Sequence, residues 1–279
     1  MSADFVQLFL ATPVWYQYFL VVFLGAIMAS FANVVAYRLH TNATLGGRSR
    51  CFSCGHTLRW FELVPIVSYL SLGGRCRACR VRIPRRDLWV ELLTAGLFLS
   101  AYILAPSVGM MLLWWLLVVL LLIVTVYDLE HFIIPNELVG MVALVSVGVF
   151  LGTAWPLTMS AVYTGALSVI TAAGLYAALW SYSNGSWLGF GDVKLAAALG
   201  LFLTIEQAFS MVVLSFWIGA TVGVVVVYGP YWWRRAYSRS RSTSPTTLKS
   251  EIPFAPFITA AFLVVYMYGI NVFSFFTIW

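Results

Sequence analysis

Charge is scarce in this sequence. Of its 279 residues only 9% are Asp, Glu, Lys or Arg, against roughly 25% in a soluble globular protein. Three histidines and ten acidic residues leave little from which to build a polar surface. With 62% hydrophobic residues and a mean hydropathy of +0.91, the chain has more apolar surface than a soluble domain can hide. That excludes a soluble enzyme. There is no internal repeat, which excludes a solenoid or array. No glycine-rich nucleotide-binding fingerprint follows a strand, so the docking place of a nucleotide-type cofactor is unmarked. The net charge of +6 does not call for nucleic acid, because cytoplasmic loops of membrane proteins carry such an excess anyway.

What is present is a series of apolar runs. Residues 14–37 carry no charge and are long enough to cross a bilayer. The run is too long for a signal-peptide core, follows Asp4 rather than a basic flank, and lacks an obvious cleavage site. It reads as a retained first span. A basic segment follows, residues 38–86. Runs 88–105 and 109–127 form a hairpin turned at "APSVG", where Pro106 breaks the helix. Runs 137–151 and 157–181 form another, turned at "GTAWP". Run 192–205 is short, about 20 Å as a helix, and 208–233 is a full span. After "RRAYSRSRSTSPTTLKS" comes the last, 253–279.

The number of crossings depends on a turn at "TIEQ". Without it, seven spans would put the basic stretch 234–249 opposite the Arg-rich segment. With it, ten Lys/Arg fall between the first two spans, Lys194 beside the fifth loop, and five between the last two spans. All sixteen then lie on one face, which the positive-inside rule makes cytoplasmic, with both termini outside. The expected fold is an all-α polytopic membrane protein of about eight transmembrane helices. A first span (1–37), a small cytoplasmic zinc-binding domain (38–87) and a transmembrane bundle (88–279) make up the chain.

All four cysteines lie in "CFSCGHTLRWFELVPIVSYLSLGGRCRACR". Cys51/Cys54 and Cys76/Cys79 are two C-x-x-C pairs separated by 21 residues. Two such knuckles complete a tetrahedral Zn²⁺ shell. Disulfides are the alternative, but a cytoplasmic segment is reducing. Four thiolates leave no open position, so the zinc would be structural, a staple for a segment too short to fold on a core of its own. His56 is surplus to a Cys₄ site and reads as a loop residue.

Two of the few acidic residues stand out. Asp128 ends the third span and Asp192 opens the sixth, at the same cytoplasmic level. Two carboxylates on separate helices can share a proton, one acting as general base and the other as general acid, and so activate water for peptide hydrolysis. The plainer alternative is helix capping. Asp192 is well placed for it at a helix start, whereas Asp128 faces the unfavourable end of its own helix dipole. Gly189 and Gly191 let the backbone bend before Asp192 and give room for an extended peptide. Ala196–Ala198 and Gly200 allow close helix approach in lipid. Lys194, two positions from Asp192, is on another helix face; it meets lipid phosphates or tunes the carboxylates through space.

"YDLEHFIIPNEL" followed by "GFGDVKLAAALG" resembles the two active-site motifs of the type IV prepilin peptidases. "SFANVVAYRL" resembles the end of that family's first span. "RSRCFSCGHTLRWFELVPIVSYL", "GGRCRACRVRI" and "VELLTAG" resemble its zinc segment, and "PFAPFITAA" its last helix. The resemblance implies a bacterial inner-membrane aspartic endopeptidase that removes the basic leader from prepilins and pilin-like secretion proteins. It also implies methylation of the new N-terminus from S-adenosylmethionine. Catalysis would fall to Asp128 and Asp192 and zinc to Cys51, Cys54, Cys76 and Cys79; from the residues themselves, Gly189, Gly191 and Lys194 are the candidates for substrate binding. Leu63 replaces the family's usual asparagine, and "RDL" at 86–88 replaces its R-Y-P, both beside the segment associated with methylation. Other readings are a non-enzymatic assembly protein stapled by zinc, which leaves Asp128 unexplained, and a presenilin-like GxGD protease, which needs no cysteine segment.

Overall fold

Long apolar runs can satisfy their backbone in lipid only as helices or closed barrels, and these runs are helices. The computed structural model describes residues 11–41, 44, 46–237 and 253–275. Among them the chain forms two isolated bridges but no strand. The eight longest helices are α1 (Val14–Thr41), α2 (Arg85–Leu104), α3 (Val108–His131), α4 (Asn136–Thr153), α5 (Met159–Tyr182), α6 (Phe190–Gly200), α7 (Ile205–Tyr237) and α8 (Ala255–Tyr268). Six of these are long and apolar enough to cross a membrane; α6 and α8, with 11 and 14 residues, are shorter. The multi-pass architecture expected from the sequence is present. Residues 238–252, with most of the basic stretch used to orient the chain, and residues 276–279 lie outside the described residues, as does Asp4.

Two helix ends differ from the sequence expectation. The sixth helix stops at Gly200 rather than at residue 205. Thr204 and Gln207 form a reciprocal cap: the Thr204 N–H donates to Gln207 Oε1 at 3.1 Å and the Gln207 N–H to Thr204 Oγ1 at 3.3 Å. This capping box opens α7 inside "TIEQ" and fixes where α6 must end. The last helix ends at Tyr268 because Gly269 takes φ 66°, the left-handed conformation that closes helices.

The chain divides into two compact units, Met1–Val126 and Tyr127–Trp279. In the first, α1 packs on α2 through small residues. A Cβ on Gly25 would come within 2.9 Å of Ala95 Cα, and Ala29, Ala32 and Ala36 are wholly buried. In lipid such small faces replace the hydrophobic effect as the basis of helix association. In the second unit α6 is surrounded by α4, α5 and α8, and α7 packs on α5 and α8. Gly200 lets α6 approach α5, since a Cβ there would meet Val169 Cα and Ala172 Cβ at 2.9 Å. Ser146 Oγ of α4 donates to the Ala198 carbonyl at 2.6 Å. The small residues of "KLAAALG" therefore serve the close approach that their size suggested.

Candidate active site and metal centre

Asp128 and Asp192 belong to the second unit and are both buried. Asp128 sits in the last turn of α3, and its Oδ2 accepts the N–H of Ala255 at 3.2 Å. Ala255 is the first residue of α8, so Asp128 faces the positive end of that helix. This offsets the unfavourable end of its own helix, an arrangement the sequence analysis did not anticipate. Asp192 is the third residue of α6. Its Oδ2 accepts the Gly189 N–H at 3.2 Å, while its Oδ1 has no hydrogen-bond partner among the described residues. The helix that holds Asp128 through Ala255, α8, also packs against α6, which carries Asp192.

The loop after α3 forms the wall of this site. Phe132 takes φ 57° and donates its N–H to the Asp128 carbonyl at 2.8 Å, ending the helix. The chain then turns so that Ile134 lies against Gly191, where a Cβ would come within 3.0 Å of Ile134 Cβ. Gly191 is thus required by close approach. Gly189 has φ −74°, open to any residue, and a Cβ there would make only ordinary contact with Asp192 Oδ2. The bend expected of these glycines does not use their conformational freedom.

Lys194 hydrogen-bonds to Asn136 Oδ1 and lies over the Phe190 ring, 5.3 Å from its centroid. Asn136 had no place in the sequence reading, although it stands in "IIPNEL". A second unanticipated group is Tyr176, fully buried on α5, whose hydroxyl meets Ser215 Oγ at 2.6 Å. Its ring packs against Phe216 and Phe254. A tyrosine in an apolar helix carries no sequence mark that separates it from interfacial aromatics.

The four cysteines of the first unit converge as their spacing suggested. Their sulfurs all lie within 4.8 Å of one another, with Cys51 and Cys79 at 3.8 Å. A zinc ion with bonds of about 2.3 Å to four thiolates needs sulfurs about 3.8 Å apart, so the cluster fits that ion. The two knuckles repeat one design. Cys51 N–H donates to the His56 carbonyl and Gly55 N–H to Cys51, both at 2.9 Å; Cys76 N–H donates to Val81 at 2.9 Å and Arg80 N–H to Cys76 at 3.0 Å. Gly55 and Arg80 both adopt positive φ, 70° and 60°, to close the turns. His56 is no ligand in this arrangement; its Nε2 lies 3.5 Å from Glu62 Oε2. The same Glu62 oxygen accepts the Arg59 N–H at 2.7 Å, which holds this carboxyl below its ordinary range.

Fold and site together define a polytopic α-helical membrane protein with two carboxylates buried at helix N-termini and a four-cysteine cluster between its first two long helices. The Bacterial Peptidase A24 N-terminal domain matches residues 23–105, and the Type IV leader peptidase family matches residues 115–224. The chain belongs to the type IV leader peptidase family. It is similar to prepilin leader peptidase/N-methyltransferases of several bacteria. That of Myxococcus xanthus is 34% identical over 73% of this chain and 61% of the relative. That of Burkholderia pseudomallei is 30% identical over 94% and 88%, and that of Bacillus subtilis 30% over 90% and 94%. No solved structure matches the chain.

Proposed function

We propose that this chain is an aspartic endopeptidase that removes the leader from prepilins or pilin-like proteins, and that it N-methylates the new N-terminus. The observation that carries the peptidase reading is the pair of buried carboxylates, Asp128 and Asp192, the latter with one oxygen unpartnered among the described residues. Like charges brought together disfavour double ionisation, so one carboxyl holds a proton while the other is ionised. The ionised partner takes a proton from water as the water oxygen bonds to the scissile carbonyl carbon. The protonated partner donates to the carbonyl oxygen. Return of a proton to the amide nitrogen lets the C–N bond break, leaving a free carboxyl-terminated leader and a new amine. The helix N-termini donated by Ala255 and Gly189 hold one oxygen of each carboxylate and fix its direction.

The substrate chemistry agrees with a membrane site. A prepilin joins a positively charged leader to an apolar helix, so its scissile bond falls at the cytoplasmic bilayer surface, where this reading puts both aspartates. Gly189 and Gly191 border the strand that must be held extended, and Lys194 stands at its edge. Cys51, Cys54, Cys76 and Cys79 hold a structural zinc that fixes the segment between α1 and α2. S-adenosylmethionine supplies the methyl group when bound. The protein resides in the bacterial inner membrane with the zinc segment on the cytoplasmic side. Co-expression with a prepilin, read by mass spectrometry for leader loss and for a methyl group, tests both activities together. A prepilin that keeps its leader in the presence of the intact chain overturns the reading.

A further inference from the structure

The stretch Trp60–Ser71, between the two knuckles, holds apolar side chains left exposed among the described residues. Trp60 is 79% exposed, Leu63 41%, Val67 59% and Leu70 66%. Trp60 and Leu63 are three apart around the 3₁₀ turn Trp60–Glu62, where that spacing superimposes side chains. Val67 and Leu70 are three apart on the one-turn helix Val67–Ser71 and share its face. A water-soluble loop would not present such a set.

Where the stretch sits is fixed by a hydrogen bond. The Ile66 N–H donates to Glu91 Oε2 of α2 at 2.7 Å. Ile66 itself has φ 62°, a strained conformation for a β-branched residue that persists only where its surroundings impose it. Glu91 is six residues past the start of α2, about 9 Å along the helix axis. The polar layer on each side of a bilayer is about 5–8 Å thick. With Arg85 at headgroup level, Glu91 therefore lies near the inner edge of that layer. Trp89 and Leu93, which flank Glu91, are 61% and 65% exposed and meet lipid on a membrane-spanning helix.

We propose that Trp60–Ser71 is an interfacial anchor. Its apolar side chains enter the leaflet beside α2, and the exposed Arg59 and Arg85 engage anionic phospholipid headgroups. The occupant is lipid because the Ile66–Glu91 bond holds the stretch at bilayer depth next to lipid-facing side chains. Tryptophan suits that depth through its amphipathic ring, and arginine suits anionic headgroups. The anchor ties the four-cysteine cluster to the membrane surface at a point between its two knuckles. It does not depend on the peptidase or methyl-transfer reading.

The test uses the full chain reconstituted in vesicles of phosphatidylglycerol and phosphatidylcholine, with a photo-crosslinking amino acid at Val67. Lipid adducts are the expected products, and their yield falls severalfold when phosphatidylglycerol is omitted. In the Trp60→Glu, Leu70→Glu double variant the yield falls about tenfold or more, since losing the burial of even one large apolar side chain carries about that factor. Zinc content, measured in the same preparation, shows that the segment is still folded; if the double variant loses zinc, Trp60→Gln is read in its place with the same expectation. Adducts formed only with protein, whether a second chain or an added prepilin, overturn the proposal. So does a lipid yield that the substitutions leave unchanged.

Discussion

The carboxylate of Asp128, at the end of α3, accepts the backbone N–H of Ala255 at the start of α8, 127 residues further along the chain. One contact thus joins the C-terminal end of one helix to the N-terminal end of another, and the positive end of α8 offsets the unfavourable placing of a carboxylate at the negative end of α3. The same contact orients the carboxylate. Asp192 is held in a comparable way by the Gly189 N–H, and its second oxygen has no hydrogen-bond partner among the described residues. A capping role and a catalytic role are therefore compatible for each residue.

The catalytic role is tested by Asp128→Asn and Asp192→Asn. Asparagine keeps the size and the oxygen that accepts from Ala255 or Gly189, but cannot exchange a proton. Each variant should remain in the membrane and lose leader cleavage by about 100-fold or more. Cleavage should also persist through a short exposure to chelators, as a dyad without metal requires. Near-normal processing by either variant would falsify the aspartyl mechanism.

The motif glycines should respond unequally. Gly191→Ala forces a carbon to within 3.0 Å of Ile134 Cβ, and the first turn of α6, with Asp192 on it, must shift. A shift of a few tenths of an ångström at a catalytic carboxylate is expected to lower kcat roughly tenfold or more. Gly189→Ala meets only ordinary contacts at an unstrained φ and should process prepilin within a few-fold of the parent. A Gly189→Ala enzyme with raised KM and intact kcat would instead show that the substrate strand bordering Gly189 lies too close to admit a methyl group.

The spans, the cysteine cluster and the small-residue face of α6 were legible because each is a pattern of side chains. Hydropathy marks a span, C-x-x-C marks a knuckle, and "AAALG" marks a close approach. The end of α6 was less legible, since the capping box inside "TIEQ" is read as a turn unless Thr204 and Gln207 are paired. The Ala255 donor and the strained Ile66 were invisible for a different reason. One is a backbone N–H and the other a backbone angle, and neither needs a particular side chain. Tyr176 and Asn136 were missed because their partners, Ser215 and Lys194, are distant in sequence and chemically ordinary.

Orientation is open to a direct measurement. A reporter fused near Ser240, which lies outside the described residues, should behave as cytoplasmic, and one after Trp279 as extracytoplasmic. The physical basis is that eight spans place all sixteen Lys/Arg residues on one side. The turn between Gly200 and Ile205 is what permits that count. An extracytoplasmic Ser240 reporter would reverse the orientation or remove a crossing, and either result would contradict the proposed topology.

The two activities should come apart at the cysteines. The cluster belongs to the unit Met1–Val126, whereas Asp128 and Asp192 belong to the unit Tyr127–Trp279, whose helices pack by close approach of small residues such as Gly200. Purified protein should contain about one zinc per chain, and the Cys76→Ser, Cys79→Ser variant little. The Cys51 thiol is held at about 7, chiefly by the Cys54 N–H. Cys54 is raised to about 11, because desolvation and the other cysteines outweigh the His56 N–H. Thiolates within 4.8 Å of one another repel, a bound cation offsets that repulsion, and a double variant left with two cysteines cannot hold the segment in place. Methylation should fall much further than cleavage, since the segment's loss disturbs what binds there and leaves the carboxylates where they are. Mass spectrometry of a co-expressed prepilin reads both, as leader loss and as a methyl group on the same new N-terminus. Cleaved, unmethylated product is the expected result. Equal loss of both would make the cysteine segment part of the peptidase site and end the division of labour.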